Sequence, residues 1–102
     1  MYSEPHSDIT RRLRCAAGHL NSVISMIETG QPCEQILHQL NAVQAALQIA
    51  GVKLIECQAK SSKDIIVNST SVDQRTEELQ HLQLLFTIFV KQYSTKREVN
   101  YE

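Results

Sequence analysis

Apolar residues recur every three or four positions along the first half of the chain, which is the spacing of one face of an α-helix. The first such stripe consists of Ile9, Leu13, Ala16, Leu20, Val23 and Ile27. Ser7 lies where an N-cap is expected, and Gly30 where a glycine commonly ends a helix. The pattern predicts a first helix over residues 7–29.

A second stripe follows Pro32, a residue that the first turn of a helix tolerates. It keeps the same spacing through Cys33, Ile36, Leu40, Val43, Leu47, Ala50, Leu54 and Cys57. This predicts a long second helix over residues 32–60. The next stretch, 60–72, is rich in polar and β-branched residues and breaks the stripe, so we expect a loop there, although Ile65, Ile66 and Val67 would allow the helix to continue.

Leucines and aromatic residues form a third stripe, at Leu79, Leu82, Leu85, Phe86, Phe89 and Tyr93. Ser71 with Gln74, or Thr70 with Asp73, would supply a capping box ahead of it. We expect a third helix over residues 72–93 and a charged tail over 94–102. The predicted fold is all-α, a three-helix protomer with two long antiparallel helices and a shorter third.

The predicted second helix needs apolar partners along its whole length, and one short chain cannot supply them all. We therefore expect a homo-oligomer, either a dimer or a larger assembly. The length of 102 residues suits a single domain, 1–102. Hydrophobic residues make up 42% of the chain but aromatic residues only 5%, which favours helix packing through aliphatic side chains.

Composition and charge narrow the class of protein. No apolar run approaches the roughly 18 residues of a membrane span, and the N-terminus lacks the apolar core of a secretory signal. The three cysteines are an odd number without a CxxC pair, which argues against disulfides and a zinc finger. We expect a cytoplasmic protein with reduced thiols and no membrane partner. The formal net charge of −1 gives no sign of nucleic-acid binding.

The chemistry-bearing residues indicate a binding protein rather than an enzyme, since no phosphate loop, nucleophile elbow or HExxH pair is present. Cys33 opens the second helix, where free backbone amides suit a reactive or ligating sulfur. Cys57 lies about 36 Å further along the same helix, so the two thiols cannot meet within one chain. Antiparallel pairing of two chains would bring them close. The alternative is that all three cysteines are small apolar residues on buried faces.

Several spaced elements resemble the CsoR/RcnR/FrmR family of repressors. The segment 11–56 reads RRLRCAAGHLNSVISMIETGQPCEQILHQLNAVQAALQIAGVKLIE, with Arg12-Leu13 leading to Gly18-His19, Cys33 opening the second helix, and QLNAVQAA at 39–46. The resemblance implies disc-shaped tetramers built from two antiparallel dimers. It also implies operator binding that ends when a metal, formaldehyde or a sulfur species engages the cysteine at the position of Cys33.

The resemblance assigns DNA contacts to basic residues of the first helix, here Arg11, Arg12 and Arg14. Two positions that are often basic in relatives are Cys15 and Gln44 in this chain. The alternative is that the three arginines form a solvated helix face near Asp8 and Glu4.

Metal-sensing relatives carry a histidine 25 residues after the cysteine, and copper sensors a further cysteine four residues later, both contributed by the opposite subunit. Here these positions are Gln58 and Ser62, which are poor ligands for copper, nickel or cobalt. The persulfide-sensing partner cysteine is also replaced by Ser62, and the proline that formaldehyde sensors expose at position two is replaced by Tyr2.

We therefore predict a ligand-responsive repressor with Cys33 as the sensing residue and Cys57 and Gln58 beside it in the assembly. The cofactor is open; if a transition-metal ion binds, Cys33 is the expected ligand. One alternative is an oligomeric helical module that has lost operator binding. Another is an atypical metal or haem site made from Cys33, Cys57 and a histidine such as His6 or His38.

Overall fold

The structure, a computed structural model, describes the backbone of residues 3–101 and the side chains of residues 6–91. Three helices follow one another along the chain: α1 (Ser3–Glu28), α2 (Cys33–Asn68) and α3 (Val72–Tyr101). The all-α prediction with three helices is confirmed. The antiparallel dimer and the tetramer stay predictions. None of the described helices is long and apolar enough to span a membrane.

Helix α1 begins four residues earlier than predicted, at Ser3. Pro5 lies in its first turn, where the fixed φ of proline suits a helix and its missing N–H is not needed. Ser7 is therefore inside the helix and is not the N-cap that the pattern suggested.

The predicted stop at Gly30 is confirmed. Gly30 has a φ of 74°, the left-handed conformation that glycine adopts without steric cost. The amide of Gln31 donates to the carbonyl of Met26 at 2.9 Å, and that of Gly30 to the carbonyl of Ile27 at 3.2 Å. These two bonds form a Schellman motif, which satisfies carbonyls at the end of α1 and turns the chain toward α2.

The loop predicted over residues 60–72 is wrong for most of its length, because α2 continues to Asn68 and only residues 69–71 are non-helical. The segment 60–68 contains neither glycine nor proline, so nothing in it breaks the helix. Ile65 and Ile66 are half-buried, and Ser62 is 0% exposed. This helix therefore buries a polar residue where the hydrophobic pattern alone indicated an end.

Ser71 caps α3, as one of the two predicted capping boxes requires. Its hydroxyl accepts a hydrogen bond from the amide of Gln74 at 3.2 Å. In a full capping box the Gln74 side chain would also accept from the Ser71 amide. Here the Ser71 amide instead donates to the hydroxyl of Ser69 at 3.2 Å, and that hydroxyl donates to the Gln74 side chain at 2.6 Å. Ser69 thus takes the place that the Gln74 side chain holds in a full capping box.

Helix α3 is longer than predicted. It runs beyond Tyr93 to Tyr101 and has 30 residues, compared with 26 in α1 and 36 in α2. It is therefore shorter than α2 but longer than α1. The residues expected to form a tail include Lys96, Arg97 and Glu98, which favour helix, and residues 94–101 contain no glycine or proline.

The chain divides into two compact units, one ending at Leu54 and the other beginning at Ile55. In the first unit, α1 and the first part of α2 form a helical hairpin joined by residues 29–32. Its buried apolar residues repeat every seven positions on each helix: Ile9, Ala16 and Val23 on α1, Val43 and Ala50 on α2. The number of domains stays a prediction.

Other apolar residues of the predicted stripes in this unit are only partly covered by the chain itself. These side chains are between 39% and 59% exposed: Leu13, Leu20, Ile27, Leu47 and Leu54. Each buried position therefore alternates with an exposed apolar one. Such a continuous apolar face is unusual on a protein that works as a monomer.

Candidate functional site

Two of the three predicted DNA-binding arginines line one open groove on α1. Arg11 and Arg14 share it with the hydroxyl side chains of Ser7 and Thr10 and with Cys15. Guanidinium and hydroxyl groups are the side chains that most often contact DNA phosphates. The groove thus combines several side chains that can donate hydrogen bonds to phosphates, on successive turns of one helix.

Asp8 engages two of the arginines. The guanidinium of Arg12 donates from Nε to Asp8 Oδ2 at 3.0 Å, and that of Arg11 donates to Asp8 Oδ1. The hydrogen bond from Arg12, followed by that from Arg11, lowers the pKa of the Asp8 carboxyl below its ordinary value of 3.8. Within the described part of the chain, Asp8 does not pair with Arg14. The charge of Arg14 is therefore not offset by a direct ion pair with this carboxylate.

A side-chain contact links the two segments on which the family resemblance depends. His19 Nε2 lies 2.7 Å from Gln39 Oε1, which joins α1 to α2 within the first unit. Both residues were read from the sequence only as parts of a motif. The structure gives them a shared role, since this hydrogen bond fixes the two helices against each other near the middle of the hairpin.

The cysteines occupy different environments. Cys33 is the first residue of α2 and is exposed, Cys15 is exposed in the arginine groove, and Cys57 is half-buried. The alternative of three buried apolar cysteines is therefore wrong for Cys15 and Cys33 in the single chain. None of the three forms a disulfide within the single chain. The predicted approach of Cys33 to Cys57 of a second chain stays a prediction.

The two positions to which the family resemblance assigns metal ligands belong to a hydrogen-bonded network in the second unit. Gln58 and Ser62 lie one turn apart on α2 and face Glu78 of α3. The Ser62 hydroxyl donates to Glu78 Oε2 at 2.6 Å. Gln58 Nε2 donates to Ser62 Oγ at 3.1 Å and, more weakly, to Glu78 Oε2 at 3.4 Å. We call these three residues the polar network.

The polar network is shielded from solvent. Ser62 is 0% exposed, and the Glu78 side chain is 18% exposed. His81 lies one turn after Glu78, with its Nδ1 at 3.9 Å from Glu78 Oε2. Across residues 6–91, no buried side-chain nitrogen or oxygen lacks a hydrogen-bond partner. The network is therefore complete without any further group.

A soft metal ion does not fit this position. The family resemblance implies an imidazole and a thiolate there, whereas Gln58 and Ser62 offer an amide and a hydroxyl that already bond to each other and to Glu78. Nowhere in the described part of a single chain do three or more histidine, cysteine, aspartate or glutamate side chains come together to hold a metal ion. Within residues 6–91 of one chain, neither the ligand set that the resemblance implies nor a substitute for it is present.

Sequence reasoning missed Glu78, Ser7 and Thr10. Glu78 lies 16 residues after Ser62 on another helix, so no local spacing connects the two. The available signal was indirect: a serine at a position where relatives bury a ligand needs a polar partner if it is buried too. Ser7 and Thr10 share the groove of the arginines because they lie four and one residues before Arg11 on the same helix.

Comparison with known proteins identifies the family to which this chain belongs. A family model described as metal-sensitive transcriptional repressor matches residues 5–87, which include the arginine groove, Cys33 and the polar network. The chain belongs to this family. It is 31% identical over 77 residues to the copper-sensing transcriptional repressor CsoR of Bacillus subtilis, a match that covers 76% of each protein.

A second relative is a repressor of the same kind. The copper-sensing transcriptional repressor CsoR of Mycobacterium ulcerans is 44% identical over 39 residues, which is 38% of this chain and 33% of that protein. No solved structure matches the chain. The resemblance to the CsoR family is confirmed, and the protein is a transcriptional regulator of the metal-sensitive repressor family rather than an enzyme.

Proposed function

We propose that this protein is a homo-oligomeric repressor that binds operator DNA through α1 and responds to a ligand or modification at Cys33. The observation that carries the proposal is the family match over residues 5–87. That region holds both an exposed thiol at the start of α2 and a groove with two arginines. The two features supply a chemical input and a surface for DNA phosphates.

The exposed apolar half-stripes of α1 and α2 support assembly from several chains. Leu13, Leu20 and Leu47, with their neighbours, present apolar surface that a second copy would remove from water. We propose an antiparallel dimer and, from it, a tetramer. In this arrangement Cys33 of one chain lies near Cys57 and Gln58 of the other, and an effector is held between subunits.

The proposed switch is an equilibrium between DNA-binding and DNA-free forms of the assembly. An effector shifts that equilibrium only by its different affinity for the two forms. A group attached to or held by Cys33 changes the packing where two subunits meet, and so favours one form. Cys33→Ala is expected to abolish the response while DNA binding is kept.

The test is fluorescence anisotropy of reduced protein titrated onto DNA from upstream of its own gene, with scrambled DNA of equal length as the control. Salt is held near the physiological concentration, because phosphate contacts make affinity depend steeply on it. We expect tighter binding to the upstream DNA by at least about 1,000-fold. Equal, weak binding to both DNAs would contradict the proposal.

A second candidate is an oligomeric helical module that has lost operator binding. Asp8 favours it, since this one carboxylate pairs with two of the three arginines and offsets their charge. Gln44 and Cys15, at positions often basic in relatives, point the same way. Asp8→Asn separates the candidates: it raises DNA affinity if the groove binds phosphates, and leaves weak binding unchanged if it does not.

A further inference from the structure

We infer that the polar network of Gln58, Ser62 and Glu78 keeps transition-metal ions out of the position where metal-sensing relatives hold their ligands. These residues then determine the class of effector and direct it away from soft metals. The inference rests on the proposed function only in taking this position to be the effector site. It adds Glu78, on another helix, to the residues that define the site.

The first step concerns donors and acceptors. A metal ligand must offer a lone pair, but the Gln58 amide group points its N–H donors at Ser62 and Glu78. The Ser62 oxygen accepts one hydrogen bond and donates another. Binding an ion through these atoms would require the network to break, including a 2.6 Å hydrogen bond to a carboxylate.

The second step concerns charge and burial. The Glu78 carboxylate is mostly shielded, and the hydrogen bonds from Ser62 and Gln58 compensate its charge. In a metal site that compensation comes from the cation. Since Ser62 is 0% exposed, water has no access to its hydroxyl to replace a hydrogen bond that an ion displaces there. The network therefore occupies the position of an ion with side-chain atoms, and neutral donors rather than a cation stabilise the Glu78 carboxylate.

The third step concerns the neighbours that might act as substitute ligands. Cys57 precedes Gln58 by one residue, and successive helical residues point about 100° apart. Cys57 therefore does not project in the direction of Gln58. His81 lies beside Glu78, with its Nδ1 at 3.9 Å from the carboxylate. It would supply only one imidazole nitrogen, and one such ligand does not replace the set of an imidazole and a thiolate.

The experiment is anaerobic competition for Cu(I) between the full-length protein and a chromophoric Cu(I) chelator. Wild type is compared with Gln58→Ala, Ser62→Ala and the double variant Gln58→His/Ser62→Cys. Because the thiols of the wild type bind some Cu(I), the comparison between variants is what decides. Circular dichroism checks that each variant is folded, and the near-isosteric Ser62→Cys alone is a second route if the double variant does not fold.

We expect the two alanine variants to bind Cu(I) as the wild type does, because the network contributes no ligand and alanine, which weakens the network, supplies none in its place. The double variant should bind more than about 100-fold more tightly, a larger change than residues outside the ligand shell usually cause. An introduced histidine at position 58 would retain Glu78 as a hydrogen-bond partner, which favours metal binding. With Ser62→Cys alone, the gain should be smaller but in the same direction.

Two results would overturn the inference: a tenfold or greater loss of wild-type Cu(I) affinity in Gln58→Ala or Ser62→Ala, or no gain in the folded double or Ser62→Cys variant. Adding Cys33→Ala to the double variant tests the proposed function separately. If the gain survives without Cys33, the network inference stands and the placement of Cys33 at this site fails. If the gain is lost, both stand.

Discussion

Replacing Ser62 with alanine removes a hydroxyl that is 0% exposed and donates to the Glu78 carboxylate at 2.6 Å. A hydrogen bond to a charged group contributes about 1.5–3 kcal/mol to stability. Glu78 keeps the weaker bond from Gln58 at 3.4 Å, and its 18% exposure lets water reach it in part. We therefore expect Ser62→Ala to lower the free energy of unfolding by about 1.5–2 kcal/mol, the lower part of that range.

Urea unfolding followed by circular dichroism measures this loss. With an m value of about 2 kcal/mol/M, the midpoint should fall by about 1 M. Protein concentration must be equal for all variants, since the stability of an oligomer depends on it. Ser61→Ala is the matched control, because Ser61 is the exposed neighbour on the same turn of α2. Its effect should stay within about 0.5 kcal/mol.

A double-mutant cycle with Glu78→Gln assigns the loss to the pair. The two residues are in direct contact, so the coupling free energy should be at least about 0.5 kcal/mol. The reasoning is refuted if Ser62→Ala is as stable as Ser61→Ala. It is equally refuted if the effects of Ser62→Ala and Glu78→Gln simply add.

Three further predictions follow from α1 and its end. Arg12→Ala should raise the pKa of Asp8 toward 3.8 in an NMR titration. Because that pKa is lowered in the folded chain, the ion pairs contribute fully to stability above pH 3.8, and this contribution is lost as the pH falls through the lowered pKa. Gly30→Ala should lower the free energy of unfolding by about 1–2 kcal/mol, because the φ of Gly30 is 74°. Gly18→Ala, with nothing within 4 Å of the added Cβ, should raise the free energy of unfolding by about 0.5–1 kcal/mol in the same urea experiment. Arg14→Ala should reduce the salt slope of DNA binding by about 1, and Arg12→Ala by less, since Arg12 already pairs with Asp8.

Much of the fold could be predicted because helical periodicity and glycine chemistry are local. The stripe from Ile9 to Ile27 and the stop at Gly30 follow from the spacing of residues close in sequence. The continuation of α2 to Asn68 could not be predicted in this way. The buried residue of this continuation is Ser62, which a hydrophobic pattern counts as polar. The burial of Ser62 depends on its hydrogen bond to Glu78 on another helix.

The residues of the candidate site could likewise be predicted only in part. The sequence places Cys33 at the start of the second helix and Arg11 and Arg14 on the first, and the structure has them there, while their roles stay predictions. Glu78 was not predicted, since hydrogen bonds between helices have no fixed spacing along the chain. The alternative interpretation of the sequence places the three arginines near Asp8, and spacings of three and four residues permit the observed pairing of Asp8 with Arg11 and Arg12 on a helix.

The central claim, that Cys33 controls DNA binding, is tested most directly in a background without the other two thiols. Anisotropy of labelled upstream DNA is measured with Cys15→Ala/Cys57→Ala protein before and after alkylation by iodoacetamide, which forms a thioether at the remaining thiol and releases iodide. We predict tight binding before alkylation and loss of binding after it, while the same protein with Cys33→Ala binds before and after treatment. Release of the DNA from the protein that lacks Cys33, or unchanged binding after complete alkylation of Cys33, would contradict the account.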